Sequence, residues 1–433
     1  MPNDLNTLSL TETTTDTITV DVTDIPLSLY IHIPWCVKKC PYCDFNSHEL
    51  PVDSQISMYD DYVDALLLDA AMQQSLVQGR KISSIFIGGG TPSLLPIAQY
   101  QRLFSGLRSC FEFAADIEVT MEANPGTLEH APFAQYLEVG INRLSIGVQS
   151  FAADKLTALG RIHDPVQALS AIKAAKSAGF TRVNVDLMHG LPQQTMKEAL
   201  NDIQMAHNAG ATHISWYQLT IEPNTVFYRS QPVLPDEDNL ADIEQAGQSL
   251  LQQLGYSNYE VSAWAGASDN PCRHNINYWQ FGDYLAIGAG AHGKVTVGYN
   301  LNNEPSTQSN MLETNLVAEA GVYRFSKSRL PKDYVGSTDI TEQSHIKQSA
   351  PKMVGWQEID RDELVSEFML NALRLHGGVA WSLFEERTGL NLDSINEQVA
   401  GLIKQGLLID SDTQLQPTLL GQRYLNQILR AFL

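Results

Sequence analysis

The chain has 433 residues, with 28 Lys and Arg against 49 Asp and Glu, a formal charge of −21. So acidic a chain is a poor partner for nucleic acid, and five cysteines in this length do not make a disulfide framework. An apolar content of 43% predicts a globular fold, and the absence of a run of about 18 apolar residues argues against a transmembrane helix. The first basic residue is Lys38, so no signal or transit peptide is expected and the predicted location is cytoplasmic.

In chain order, residues 1–25 are rich in Thr and Asp and read as a flexible acidic tail. Short β-rich runs then alternate with helical stretches. The runs are Leu27–Ile33, Ser83–Gly88, Ile117–Ala123, Asn142–Val148, Arg182–Leu187 and His213–Leu219. Tyr59–Leu76 and Pro165–Ala178 carry apolar residues three and four apart, as helices do. The order predicts an α/β fold with a parallel sheet and outer helices, curled by right-handed crossovers into a partial (β/α)6 barrel over 26–235. Periodicity alone leaves an open doubly wound sheet as the alternative.

A helix over Asp236–Leu254 opens an accessory region, 236–360, that is expected to complete the core and contains a strand-like Val322–Phe325. Residues 361–433 read as a separate module: helices near Asp362–Leu375, Trp381–Thr388 and Leu392–Gln405, then a short hairpin and a last helix. That order suggests a winged-helix-like α+β unit. Its basic residues are interspersed with acids, so no DNA-binding stripe emerges.

Directly after the first strand come Cys36, Cys40 and Cys43, spaced Cys-x3-Cys-x2-Cys. Thiolates suit iron–sulfur clusters and zinc. Three thiolates on a four-iron cubane leave one iron free to chelate a small molecule; zinc with His48 as fourth ligand is the competing reading. After the second strand, Gly88-Gly89-Gly90-Thr91-Pro92 would let a ligand approach the backbone. Cys110, in a helical LRSCFEF run, reads as core.

These residues resemble the signature of the radical S-adenosylmethionine (SAM) superfamily. With YIHIPWC, FIGGGTPS, MEANPG, SIGVQSF, LGRIHD and NVDLMHGLP in order, residues 26–433 are similar to the oxygen-independent coproporphyrinogen III oxidase family. The resemblance implies a [4Fe–4S] cluster on Cys36, Cys40 and Cys43, with SAM on the fourth iron. It implies SAM contacts from Tyr30, Tyr42, Gly89, Gly90, Thr91, Glu122, Gln149, Arg161 and Asp186. Arg161 could offer a bidentate fork to a carboxylate or pair instead with Asp154 or Asp164.

Two features separate the chain from the decarboxylating members. Phe45 stands where they carry a further cysteine, and the N-terminal extension differs. The stretch Asn270-Pro-Cys272-Arg-His274-Asn-Ile-Asn-Tyr278-Trp279 is similar to the motif of the HemW branch, whose members are regarded as haem chaperones. The resemblance then implies haem as cargo, haem-accepting respiratory clients, an electron donor, and peripheral membrane association through those clients. His274 is the expected haem ligand, with Cys272 and His292 as rivals and Tyr278 and Trp279 as stacking groups. No residue is assigned a catalytic role on this reading. Coproporphyrinogen decarboxylation, and a zinc-stabilised interaction protein, are the alternatives.

Overall fold

The computed structural model describes residues 20–51, 56–126, 133–298, 320–336 and 353–433. Most of the Thr/Asp segment, residues 1–19, lies outside them; Asp21 caps a one-turn helix, Val22–Asp24, that leads into buried Ile25.

Six parallel strands follow in order: β1 (Leu27–Ile33), β2 (Ile82–Gly89), β3 (Phe113–Ala123), β4 (Arg143–Gln149), β5 (Arg182–His189) and β6 (His213–Gln218). Each pairs with the next in sequence. A doubly wound sheet would reverse direction at a switch point; this one never does, so the crossovers wind one way and the sheet curls. The helices α1 (Ile56–Met72), α2 (Ile97–Cys110), α3 (Phe133–Val139), α4 (Ala153–Ala158), α5 (Pro165–Ser177) and α6 (Met196–Ala209) alternate with the strands. Capping boxes start α5 at Asp164 and α6 at Thr195.

The barrel does not close. Past β6 come α7 (Val226–Ser230), α8 (Glu237–Gln253), β7 (Tyr256–Asn258) and β8 (Ala263–Gly266), with β8 antiparallel to β6 and β7 on the outer edge. Beyond β1 lie β9 (Asp283–Ile287), β10 (His292–Val297), β11 (Gly321–Lys327) and β12 (Met353–Glu358). Strand β9 is parallel to β1 and the rest are antiparallel, giving one sheet of twelve strands. The described residues of region 236–360 therefore extend both edges of the same sheet and share its core, which includes Leu285, Tyr323 and Phe325.

Alternation along the strands decides what the curled sheet encloses. Leu29, Ile31, Ile85, Ile87, Val119, Met121, Leu144, Ile146, Val183, Val185 and Ile214 belong to the continuous apolar core. The intervening residues are mostly polar, Phe86 being an exception, and several bond one another across strands. Ser28 Oγ meets Ser84 Oγ at 2.7 Å, Asn184 donates to Ser145 Oγ at 2.7 Å, and His213 Nδ1 lies 2.7 Å from Asn184 Oδ1. A helix, α9 (Arg273–Trp279), lies on this polar face: Asn277 Nδ2 donates to Ser28 Oγ at 2.9 Å, and the His274 ring stacks on Phe86 of β2.

The C-terminal helices have a core of their own built on Phe368, Phe384, Leu402, Ile428 and Phe432. Val379–Ala380 pairs antiparallel with Gln414–Leu415, and Leu408 bridges Pro417, so the expected hairpin is joined by a third short strand. Trp279 docks on this module through Arg374, whose guanidinium lies 4.4 Å from its ring, and Phe281 meets Phe368 at 5.8 Å. No helix of the described residues is long and apolar enough to cross a membrane.

At the start of β9 the fully buried Asp283 accepts from Arg80 (2.7 Å), Lys294 (3.0 Å) and the Thr296 amide (2.8 Å). Removing this carboxylate strands two cations away from water. Asp283→Ala should cost about 3–5 kcal/mol of stability in urea unfolding; a loss below about 1 kcal/mol, the scale of an exposed pair, would contradict the account.

Candidate functional site

The chain leaves β1 into the cysteine loop, which backbone bonds tie down. Trp35–Cys36 pairs in parallel with His48–Glu49, and the Cys43 amide donates to the Cys40 carbonyl at 3.1 Å. The glycine turn is stapled to the same loop: Gly90 donates to Ile33 O and Thr91 to Trp35 O, each at 2.7 Å. Gly89 has φ +113°, and a Cβ there would come within 2.6–2.8 Å of the His32 ring. Only glycine meets both conditions.

The three cysteines, free thiols all, open on a cavity of about 440 Å³ at the carboxyl ends of the strands. Its wall takes Gly89, Gly90 and Thr91 from the turn after β2, Glu122 from β3, Gln149 from β4, Asp186 from β5 and Tyr217 from β6, with Tyr42 and Arg161. Burial raises the Cys36 and Cys43 thiols. Arg161 donates to Gly147 O at 2.6 Å and reaches Cys40 Sγ at 3.6 Å. Neither carboxylate considered from the sequence takes it: Asp154 pairs with Lys155 at 3.0 Å and Asp164 caps α5.

Two polar atoms on this wall have no partner among the described residues: Arg161 Nε and Gln149 Oε1. Gln149 also sits at φ +65°, a strained setting for a residue with a side chain. Glu122 accepts from the Gly89 amide at 3.2 Å, and burial together with the nearby Asp186 pushes its carboxyl up to about 8. Asp186 accepts from Ser145 (2.7 Å) and Asn184 (2.9 Å), yet burial still raises it. Three thiols, an orphaned guanidinium nitrogen and buried carboxyls facing one space fit a cluster beside a ligand that carries both an amine and a carboxylate. A single-ion site is not built: among the described residues no three His, Cys, Asp or Glu side chains converge on one ion, and His48 Nε2 meets the Arg329 carbonyl at 3.3 Å.

A second cleft of about 430 Å³ adjoins the first and shares Gly89, Glu122, Asp44 and Phe45 with it. Tyr30, Tyr278, Tyr284 and His274 line it. The His274 ring stacks on Phe86 (5.0 Å) and Tyr30 (6.2 Å), its Nδ1 has no partner among the described residues, and burial lowers its pKa to about 4. It is a neutral imidazole at physiological pH, the form that binds metal. Helix α9 is pinned at both ends. Glu118 Oε1 accepts from the Arg273 amide at 2.9 Å, while Asn277 donates to Ser28 and to Asp283 O (2.8 Å).

Residues 30–206 match the Radical SAM superfamily model and residues 359–424 the HemN C-terminal domain. The chain is 44% identical to the heme chaperone HemW of Escherichia coli (strain K12), over 94% of this chain and 98% of that one. It is 45% identical to heme chaperone HemW of Haemophilus influenzae and 32% to that of Bacillus subtilis, each over 94% of this chain and at least 98% of the relative. The chain belongs to the HemW family. Among solved structures it resembles coproporphyrinogen III oxidase (HemN) of Escherichia coli, at 25% identity and TM-score 0.73, covering 94% of this chain and 90% of that one.

HemW membership brings with it the superfamily's [4Fe–4S] cluster and SAM, and the first cavity offers the donors for them. Several expectations shift in position. Tyr30 lines the second cleft rather than the cysteine cavity, its hydroxyl 3.0 Å from His32 Nδ1. Trp279 faces the C-terminal module and not the cleft, because helical geometry turns it away from His274. Cys272 is buried beside Glu118, its Sγ 3.5 Å from the carboxylate, with its thiol pushed up to about 11 by burial; it is no rival ligand. His292 is exposed at the rim of the cleft, and Cys110 packs at the edge of the main core. Sequence reasoning missed Tyr217, which continues the alternation along β6, and Glu118 and Arg329, which carry no local signal.

Because folding raises the Glu122 carboxyl from about 4.5 to about 8, the folded state binds a proton that the unfolded chain releases. That contribution is complete below pH ~4.5 and is lost as pH rises through ~8. The ligand-free protein should lose stability over that window, and Glu122→Gln should flatten the loss. Denaturant midpoints taken at pH 5 to 9 that run parallel for both proteins would refute the assignment.

Proposed function

We propose that the chain holds a [4Fe–4S] cluster and SAM in the first cavity and haem in the second, and delivers haem to haem-dependent proteins in the cytoplasm or at the membrane through its clients. The observation that carries this reading is the adjoining aromatic cleft, lined by the neutral imidazole of His274, whose Nδ1 has no partner among the described residues. The names of the relatives, heme chaperones in three bacteria, agree with it.

In this reading Cys36, Cys40 and Cys43 hold three irons, and the cluster supplies the one-electron chemistry of the superfamily. Arg161 receives the SAM carboxylate through its free Nε, and Glu122 and Asp186 face the amine or ribose. An arriving ammonium would favour ionised Glu122, so the carboxyl that is neutral in the empty site becomes an ion-pair partner when the ligand enters. Gly89 and Gly90 let the ligand lie on the backbone, and Tyr42 and Tyr217 close the wall. His274 ligates haem iron through a ring nitrogen, with Tyr30, Tyr278 and Tyr284 against the macrocycle.

The second reading, oxidative decarboxylation of coproporphyrinogen III, is favoured by the likeness to HemN. Against it, Phe45 stands 60% exposed on the wall between the cavities, at the place of the further cysteine.

Anaerobic reconstitution followed by haem titration, with and without SAM, tests the proposal. Cluster absorbance and a haem Soret band are both expected. Cys40→Ser should lose the full cluster while keeping haem, and His274→Ala should shift the Soret maximum and weaken haem. Uptake of cluster and SAM without haem would reject the chaperone reading. Release of CO2 from coproporphyrinogen III with methionine formation would establish the enzyme instead.

A further inference from the structure

The second cleft is chemically lopsided. Its inner wall is aromatic, with His274 and His32 set back among the rings. Both His32 ring nitrogens are taken, by the Tyr30 hydroxyl and the Asn46 carbonyl, which leaves His274 as the imidazole with an unpartnered nitrogen among the described residues. Its outer rim carries two exposed basic side chains, Arg329 and His292. Arg329 is the one permanent cation in the lining among the described residues.

The neighbouring cations of the same sheet edge already have partners. Lys294 is taken by Asp283, Arg324 by Glu367 and Lys327 by Asp69. Arg329 has no ion pair among the described residues, although its backbone is fixed. Its carbonyl accepts from Asn46 Nδ2 at 2.8 Å and faces His48 Nε2 at 3.3 Å. The guanidinium is thus hung from a set point of the rim, at the joint between the cysteine loop and the strand edge. The exposed carboxylate of the lining, Asp44, stands on the wall shared with the cysteine cavity and also lines a further hollow with Arg329, but it makes no ion pair with that guanidinium. An amphiphilic plate entering the cleft therefore meets rings and a Lewis base inside, a carboxylate on the shared wall, and a bidentate cation at the rim.

We propose that Arg329 receives the carboxylate edge of the bound macrocycle, so that the cleft selects porphyrins carrying free propionates and orients them with that edge outward. This rests on the haem reading above and adds to it the polar end of recognition. His292 stands beside the same edge and can donate a further hydrogen bond. Release to a client then needs only the rim contact and the iron ligand to be exchanged, since the carboxylates already face outward.

The test compares haem with its dimethyl ester, in which both propionates are blocked, by equilibrium Soret titration in matched solvent. One charge-assisted contact predicts that the wild-type chain binds haem about tenfold to a hundredfold more tightly than the ester. Arg329→Ala should bring haem down to the level of the ester and leave the ester unchanged. Arg329→Lys should recover part of the difference, and unchanged ester binding in both variants shows that the cleft is intact. Equal wild-type affinity for acid and ester, or an equal loss for both in Arg329→Ala, would overturn the proposal while leaving haem binding in place. Failure of the wild type to bind either probe would remove the haem reading and this proposal together.

Discussion

The two-residue period of the parallel strands is the constraint on which the rest of the molecule depends. A parallel sheet usually buries both faces and fills them with aliphatic residues. Here one face does so, and packs against the helices. The other carries Ser28, Glu118, Arg143, Ser145, Asn184, Asp186 and His213, all buried or nearly so. Burying that many polar groups is tolerable only because they satisfy one another in cross-strand bonds. The result is a polar lumen with few unsatisfied atoms among the described residues: Arg143 Nε lies within it, and Gln149 Oε1 and Arg161 Nε lie on the wall of the first cavity, where a ligand would complete them.

That lumen also explains the place of α9. An apolar helix would find no partner on a polar face. Helix α9 offers Asn277 to Ser28 and a backbone amide to Glu118, so its docking is written in hydrogen bonds. Glu118 in turn is held by Arg182, which also binds Asp269, so the cap on α9 is part of a buried charge network. Docked this way, one end of the helix sets His274 into the aromatic cleft while the other places Trp279 on the C-terminal module. The same seven residues link the cleft to the module that closes that side of the molecule.

Much of this was legible in the sequence, for physical reasons that differ by element. The six strands could be read because each is a short apolar run bounded by turn residues; Arg182–Leu187 differs from the observed β5 only at its far end. Glu122, Gln149 and Asp186 were implied as site residues by the family resemblance, and their places near the carboxyl ends of the strands agree with the rule that chemistry gathers at that end of a barrel. Helix boundaries drifted where propensity has little to say: Leu392–Gln405 splits into a 3-10 turn at Leu392–Ile395 and a helix from Asn396. Cys272 and Trp279 were misplaced because a motif gives residue types and spacing but not the face each side chain takes once the helix lies against a lumen. Arg329 carries no pattern at all. It reaches the cleft only because Asn46, 283 residues earlier in the chain, anchors its carbonyl.

The net charge of −21 stands against the proposal that these cavities accept carboxylates. Distance and burial resolve the conflict. Exposed charges more than about 8 Å apart are largely screened at physiological salt, so the global balance weakly affects a pocket. Inside, burial and the nearby Asp186 push the Glu122 carboxyl up to about 8, so it carries little negative charge at physiological pH. Arg161 itself bonds a carbonyl and a thiol rather than a carboxylate. Had Asp154 or Asp164 taken that guanidinium, its charge would have been spent before a ligand arrived. Lys155 and the first turn of α5 occupy those two acids, and Arg161 stays free to face the cysteines.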